Sequence, residues 1–304
     1  MPSDPVDDDV LRDRNARIAS DYDRMPYDEP ASPSLDPGHI FALAARYGHA
    51  RNHRDVDILD LGCGTGAQLE RAAGLTTGNV VGTDISQAAC ETAQARTARF
   101  GSRCRIVHAD ALDLAADDLG RFDLIYHIGV IYVTPPAVQR HLLGLIADCL
   151  KPGGVALISY CVGTVPLLMA GLHRVLRARV DSTASPQEQV RVAREQIKTI
   201  ANTVARQSGD QRLIGGVLQQ VYRTPDTVFF HEMLSGSFGP LTTSELERAL
   251  GERGVHFLNW MQPAPFDPHA SPQARAMTAD AYSFSGGGYV NGVFRKDGQD
   301  PTDI

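Results

Sequence analysis

No uninterrupted apolar run in the 304 residues approaches the roughly 18 needed to span a bilayer. Nor does the chain open with the basic-then-apolar pattern of a secretory signal, because Met1 to Val10 is acidic. These absences predict a cytoplasmic protein with no membrane partner. Cysteine is sparse: positions 63, 90, 104, 149 and 161 hold the five present, an odd number without CxxC spacing. A disulfide framework and a structural zinc site are both disfavoured, and no metal is expected. Positive charge is also short, with a formal net charge of -7. A nucleic-acid duplex would be repelled unless a local basic groove compensated. The best basic cluster, HRVLRAR from His173 to Arg179, has the spacing of one solvated helix face, so no nucleic-acid partner is expected.

What remains is an ordinary globular composition, 43% hydrophobic and 21% charged, long enough for one large domain with an insertion. Residues 1–36 read as an acidic leader, frayed over Met1 to Arg14, and a helix is expected to enter the fold over Pro37 to Tyr47. An alternation follows. VDILDLG, NVVGTDIS, CRIVHADAL, FDLIYHIGV and VALISYC read as strands, with helices of ten to fifteen residues between them; the last of these is expected to run through AVQRHLLGLIADC to Pro152 and Gly153. That order implies βαβ units and a mostly parallel sheet over 37–162, with ligands beyond the carboxyl ends of the strands. Residues 163–240 read as a helical insertion, including a helix capped by Ser185 with Pro186 at its first position. Residues 241–304 return to the sheet through a helix capped at Thr243 and strands VHFLNWM and GYVNGVFRK. The expected fold is a Rossmann-like, doubly wound α/β sheet of seven strands, with the insertion between strands five and six acting as a lid.

DLGCGTGAQL, Asp60 to Leu69, carries glycines where backbone must approach a ligand. Gly62, Gly64 and Ala67 fit G-x-G-x-x-G/A, so a nicotinamide or flavin enzyme has to be weighed. Asp60 speaks against it, since a carboxylate suits the ammonium of an amino-acid moiety and repels a pyrophosphate. Asp84, ending the second strand, is placed for two ribose hydroxyls under either reading. Asp110 is placed to accept from an adenine amino group, although a plain helix cap would also explain it. Together they favour an adenosyl cofactor without phosphates.

DLGCGTG, GTDIS, HADAL and LKPGGVALIS occur in the order and spacing of the class I S-adenosylmethionine methyltransferases, which residues 56–160 resemble. The resemblance implies that Asp60, Gly62 and Gly64 line the methionine part of the cofactor. It likewise assigns Asp84 and Ile85 to the ribose side, and Asp110 and Ala111 to the adenine. A looser similarity is to bacterial methyltransferases carrying a methyltransferase regulatory domain, some of which look like protein-lysine methyltransferases. It rests on Tyr22, Asp23, Pro26 and Tyr27, on GVIYVTPP from Gly129 to Pro136, on Ser159-Tyr160-Cys161, and on FHEML from Phe230 to Leu234. Cys161 departs from that group's usual asparagine.

The expected activity is methyl transfer to O, N or C of a small molecule of the natural-product type. Transfer to a protein or peptide side chain, or cofactor binding without turnover, stand as alternatives. His127, at the end of the fourth strand, is a candidate for catalysis and for cofactor contact; a core histidine bonded to backbone is its rival. His231 and Glu232 are candidates on the acceptor side, the rival for His231 being a bond tying insertion to core. Tyr132 and Tyr160 either line the acceptor space or pack the core. Trp260 and Met261 read as core, and Cys63 as a neutral spacer. Tyr22 and Tyr27 are expected to cover the cofactor, with Pro26 fixing the turn between them. Removing Met1 to Ala19 should then be harmless, and removing residues through Pro30 should not.

Overall fold

The computed structural model describes residues 8–27, 30–49, 52–206, 212–262, 266–284 and 286–298. Its centre is a sheet of strands β1 (Ile58–Leu61), β2 (Val80–Asp84), β3 (Cys104–His108), β4 (Phe122–His127), β5 (Leu150–Val162), β6 (Val255–Trp260) and β7 (Gly288–Lys296), ordered β3-β2-β1-β4-β5-β7-β6. The first five are parallel, and β7 runs antiparallel to both β5 and β6. Every residue of β1 and β4 is buried, as parallel strands covered on both faces require. Alternation along each strand sorts side chains into two apolar layers. Ile58, Leu124 and Tyr126 face one with Ile40, Phe41 and Leu69, while Leu59, Leu61 and Ile125 face the other.

Helices α2 (Pro37–Ala45), α3 (Ala67–Ala73), α4 (Gln87–Thr97), α5 (Ala116–Leu119) and α6 (Pro136–Cys149) connect or flank the parallel strands. The insertion consists of α7 (Thr164–Arg177), α8 (Pro186–Val204), α9 (Arg212–Arg223) and α10 (Asp226–Met233). Leu172, Leu176, Val190, Ile197, Val217 and Phe229 join its apolar faces to the layer that contains Ile125. Ser185 caps α8 as expected, accepting from Glu188 N at 3.2 Å.

Several local expectations change. Where a frayed leader was expected, Asp8–Arg24 is a helix, α1; residues 1–7 of that leader lie outside the described residues. Leu11, Asn15, Ile18 and Tyr22 recur at helical spacing, with Leu11 and Asn15 buried, so one stripe docks although the segment as a whole is polar. The helix expected to reach Pro152 stops at Cys149, because Leu150 already pairs with Phe122; near a strand's start, proline's missing N–H is tolerated. Helix α11 (Thr243–Gly251) is capped by Thr242 in a capping box with Glu245. Thr243 is buried instead, with its hydroxyl against Tyr160. Helix α12 (Pro272–Ser283), capped by Ser271, has no counterpart among the expected elements. Among the described residues no helix is long and apolar enough to cross a membrane.

Candidate active site

A cavity of about 590 Å³ opens beyond the carboxyl ends of the parallel strands. Its floor is the loop after β1, with Asp84 closing β2, Asp110 following β3 and Val130 following β4. The loop is shaped by glycine: Gly62 has φ +87°, and a Cβ there would lie 2.3 Å from a Val130 methyl. Gly64 N–H donates to Asp84 at 2.8 Å, and Ser86 N–H donates to its other oxygen at 2.9 Å. Burial nevertheless raises the pKa of Asp84. Burial, with Asp84 adding to it, pushes the Asp60 carboxyl up to about 7. Asp110 caps the short turn Ala111–Asp113 through Leu112 N at 3.0 Å, and it lines the cavity as well.

The walls come from the other regions. From α1, Asn15, Ile18 and Tyr22 line the cavity, followed by Pro26 and Tyr27. Asn15 Nδ2 donates to both oxygens of Asp110 at 2.9 Å. Asp23 accepts from the Ser86 hydroxyl at 2.7 Å, and Asp21 from the Ser235 hydroxyl at 2.7 Å. Met169 of α7, Val221 of α9, and Val228, His231 and Glu232 of α10 complete the far end. His231 Nε2 donates to Met25 O at 2.6 Å, and the ring stacks on Tyr22 with centroids 4.0 Å apart. The bond expected to tie insertion to core therefore ties insertion to the N-terminal segment.

Of the residues singled out in the sequence, Tyr22, Tyr27, Asp60, Gly62, Gly64, Asp84, Ile85, Asp110, Ala111, Tyr132, His231 and Glu232 all line this one cavity. Two do not. His127 is fully buried with Nδ1 bonded to Leu61 O at 2.8 Å, and burial holds its pKa down to about 4. It is the core histidine of the rival reading, because β4 is covered on both faces up to its last residue. Tyr160 is likewise fully buried, its hydroxyl bonded to Thr243 at 2.9 Å and receiving the Trp260 indole N–H at 2.7 Å. Trp260 is buried as expected, and Met261 packs against the core. Cys63 is nearly buried, which raises its thiol pKa. Among the lining residues that carried no sequence signal of their own are Asn15, hidden in a polar helix, and Tyr289, on a glycine-rich strand start.

Four carboxylates line the cavity, Asp60, Asp84, Asp110 and Glu232, and no lysine or arginine does among the described residues. A pyrophosphate would meet repulsion there, whereas an adenosyl group joined to an ammonium and a sulfonium fits the charge. A methyltransferase domain lies within the chain. Residues 58–154 match the family model described as "Methyltransferase domain". The carboxy-S-adenosyl-L-methionine synthase of Wolinella succinogenes is 30% identical over 105 residues, 34% of this chain and 42% of that protein. The ribosomal protein L11 methyltransferase of Shewanella halifaxensis is 29% identical over 150 residues, 47% of this chain and 49% of that one. Among solved structures, PKMT2 from Rickettsia typhi in complex with AdoHcy superposes with a TM-score of 0.75 at 17% identity, over 90% of this chain and 55% of that one. That likeness shows that the methyltransferase fold extends well past residue 154. The chain spans about half the length of the relatives it matches.

Proposed function

We propose that the protein transfers the methyl group of S-adenosylmethionine to a small-molecule acceptor held in the far end of the cavity. The observation that carries this reading is the wall: α1, α7, α9 and α10 bound the space opposite the glycine loop. An acceptor in an open acidic trench would call for a different arrangement. The three core carboxylates suit the cofactor, Asp60 for the ammonium, Asp84 for the ribose and Asp110 for the adenine, with Ile85 and Ala111 lining the ring's space. When bound, S-adenosylmethionine supplies a methyl already activated by the sulfonium charge. The chain's own residues then have to orient the acceptor, exclude water and take up a proton. His231 and Glu232 are the protonatable side chains we assign to the far wall. Tyr22 and Tyr27 act as the cover and α10 as the lid's inner face.

The test is radiolabelled methyl transfer into cell extract separated by size. Label in the low-mass fraction supports the reading, and none in any fraction, with the cofactor still bound, leaves a binding protein without turnover. Asp84→Ala should weaken cofactor binding by about 1–3 kcal/mol, read by calorimetry. Transfer to a protein side chain is the second reading, supported by the similarity to the L11 methyltransferase; label confined to protein would select it.

A further inference from the structure

Asn15 sits near the middle of α1 with 4% exposure, on the stripe that brings Ile18 and Tyr22 to the cavity. A primary amide is costly to bury there unless both of its ends find partners. One end has found them: Nδ2 donates to both oxygens of Asp110 at 2.9 Å. A carboxylate only accepts, so this contact fixes which end of the amide faces Asp110. Oδ1 is thereby turned away from Asp110, and it has no hydrogen-bond partner among the described residues. Asp110 is itself nearly saturated, because Leu112 N–H donates to its Oδ1 at 3.0 Å. Three of its roughly four lone-pair positions are then taken.

Asn15 and Asp110 both line the cavity, and so do Ala109, Ala111 and Leu114 on either side of Asp110 in the chain. A ligand edge entering here meets apolar walls and two acceptors, Asn15 Oδ1 and the position left on Asp110. Such a corner asks for a flat group whose edge carries two N–H bonds on one atom. We infer that Asn15 is a cofactor-specificity residue: its Oδ1 accepts one hydrogen of the adenine 6-amino group, so that the site selects a 6-amino purine over a 6-oxo purine. Asp110 then has two tasks, holding the Asn15 amide in this orientation and taking the second amino hydrogen. A 6-oxo base would set a carbonyl oxygen against both acceptors, with no proton between them. The inference rests on the S-adenosylmethionine reading and gives α1 a part in it, since the helix that walls the cavity also reads the cofactor.

The experiment compares S-adenosylhomocysteine with S-inosylhomocysteine, its 6-oxo counterpart, by calorimetry. The unaltered protein should bind the adenosyl compound about 100-fold more tightly. Asn15→Leu should cut that ratio by about 10-fold, and Asn15→Ala should do the same, so the outcome does not hang on whether leucine fits. Asp23→Ala removes the bonds from α1 to Ser86 and Ala88 and leaves Asn15 on Asp110. It should weaken both compounds alike and keep the ratio, which separates reading of the base from mere loosening of the helix. A ratio unchanged in both Asn15 variants overturns the inference, as does one that falls equally in Asp23→Ala. Equal binding of the two compounds to the unaltered protein overturns it as well. If S-adenosylhomocysteine itself failed to bind, the methyltransferase reading would fall instead.

Discussion

Leu59 in β1 and Asn15 in α1 are almost equally hidden from solvent, at 0% and 4% exposure, yet different forces hold them. Leu59 belongs to an apolar layer that runs from β1 through β4 and β5 into the insertion, where burial of each large side chain contributes about 1.5–3 kcal/mol. Asn15 is held by two bonds to Asp110, and the rest of α1 and its following turn by Asp21, Asp23 and the carbonyl of Met25. A site built between such regions has a rigid floor and a wall that polar exchange with water can release. Under the proposed reading, the releasable wall is the one that would open to admit the cofactor.

The sharpest break in the comparison is Leu59→Ala, which should destabilise the whole fold by about 2–5 kcal/mol in denaturant unfolding. Asn15→Ala should leave that midpoint nearly unchanged and loosen α1 alone. Losing bonds to a charged acceptor costs about 1.5–3 kcal/mol, so amide exchange in α1 should quicken by roughly 10- to 100-fold while β1 stays protected. Equal protection in both would mean that α1 is held as the core is. Deleting residues 1–19 removes Asn15 and Ile18 together, and should lower methyl transfer, contrary to the harmless outcome expected if Tyr22 and Tyr27 alone formed the cover.

The smallest effect is one of pH. Asp60 titrates at about 7 in the fold, because of burial and then Asp84, against ~3.9 in an unfolded chain. Its neutral form is the one the fold favours, so its contribution is complete below pH ~4 and disappears as pH rises through 7. A cofactor ammonium beside it favours the carboxylate. Affinity for S-adenosylmethionine should therefore fall below pH 7, by up to about 10-fold per unit, with a proton released on binding. Calorimetry in buffers of different ionisation enthalpy reads that proton. Asp60→Asn should reduce the slope, and Asp84, also pushed up by burial, should carry what remains.

The floor of the site was legible because it is local. Asp60, Gly62 and Gly64 stand within one turn, and Asp84 and Asp110 each end or follow a strand whose apolar run announces it. His127 and Tyr160 misled for the same reason. Both stand on strands that lead to the cavity, but position along a strand does not say which way a side chain points. The walls were half legible: Tyr22, Tyr27, His231 and Glu232 stood out as aromatic or charged residues in unlikely company, whereas Asn15 and Tyr289 did not.

By itself the sequence determined the α/β alternation, the glycine turn and the carboxylates beside it, since periodicity and backbone sterics act over a few residues. Only the tertiary structure decided that α1 lines the cavity, that His127 and Tyr160 do not, and that His231 stacks on Tyr22. Those outcomes rest on single polar and aromatic contacts between segments far apart in the chain, such as Asn15 with Asp110 and His231 with Met25. No local pattern encodes such a contact, because each partner acquires its meaning only when the fold removes both from water.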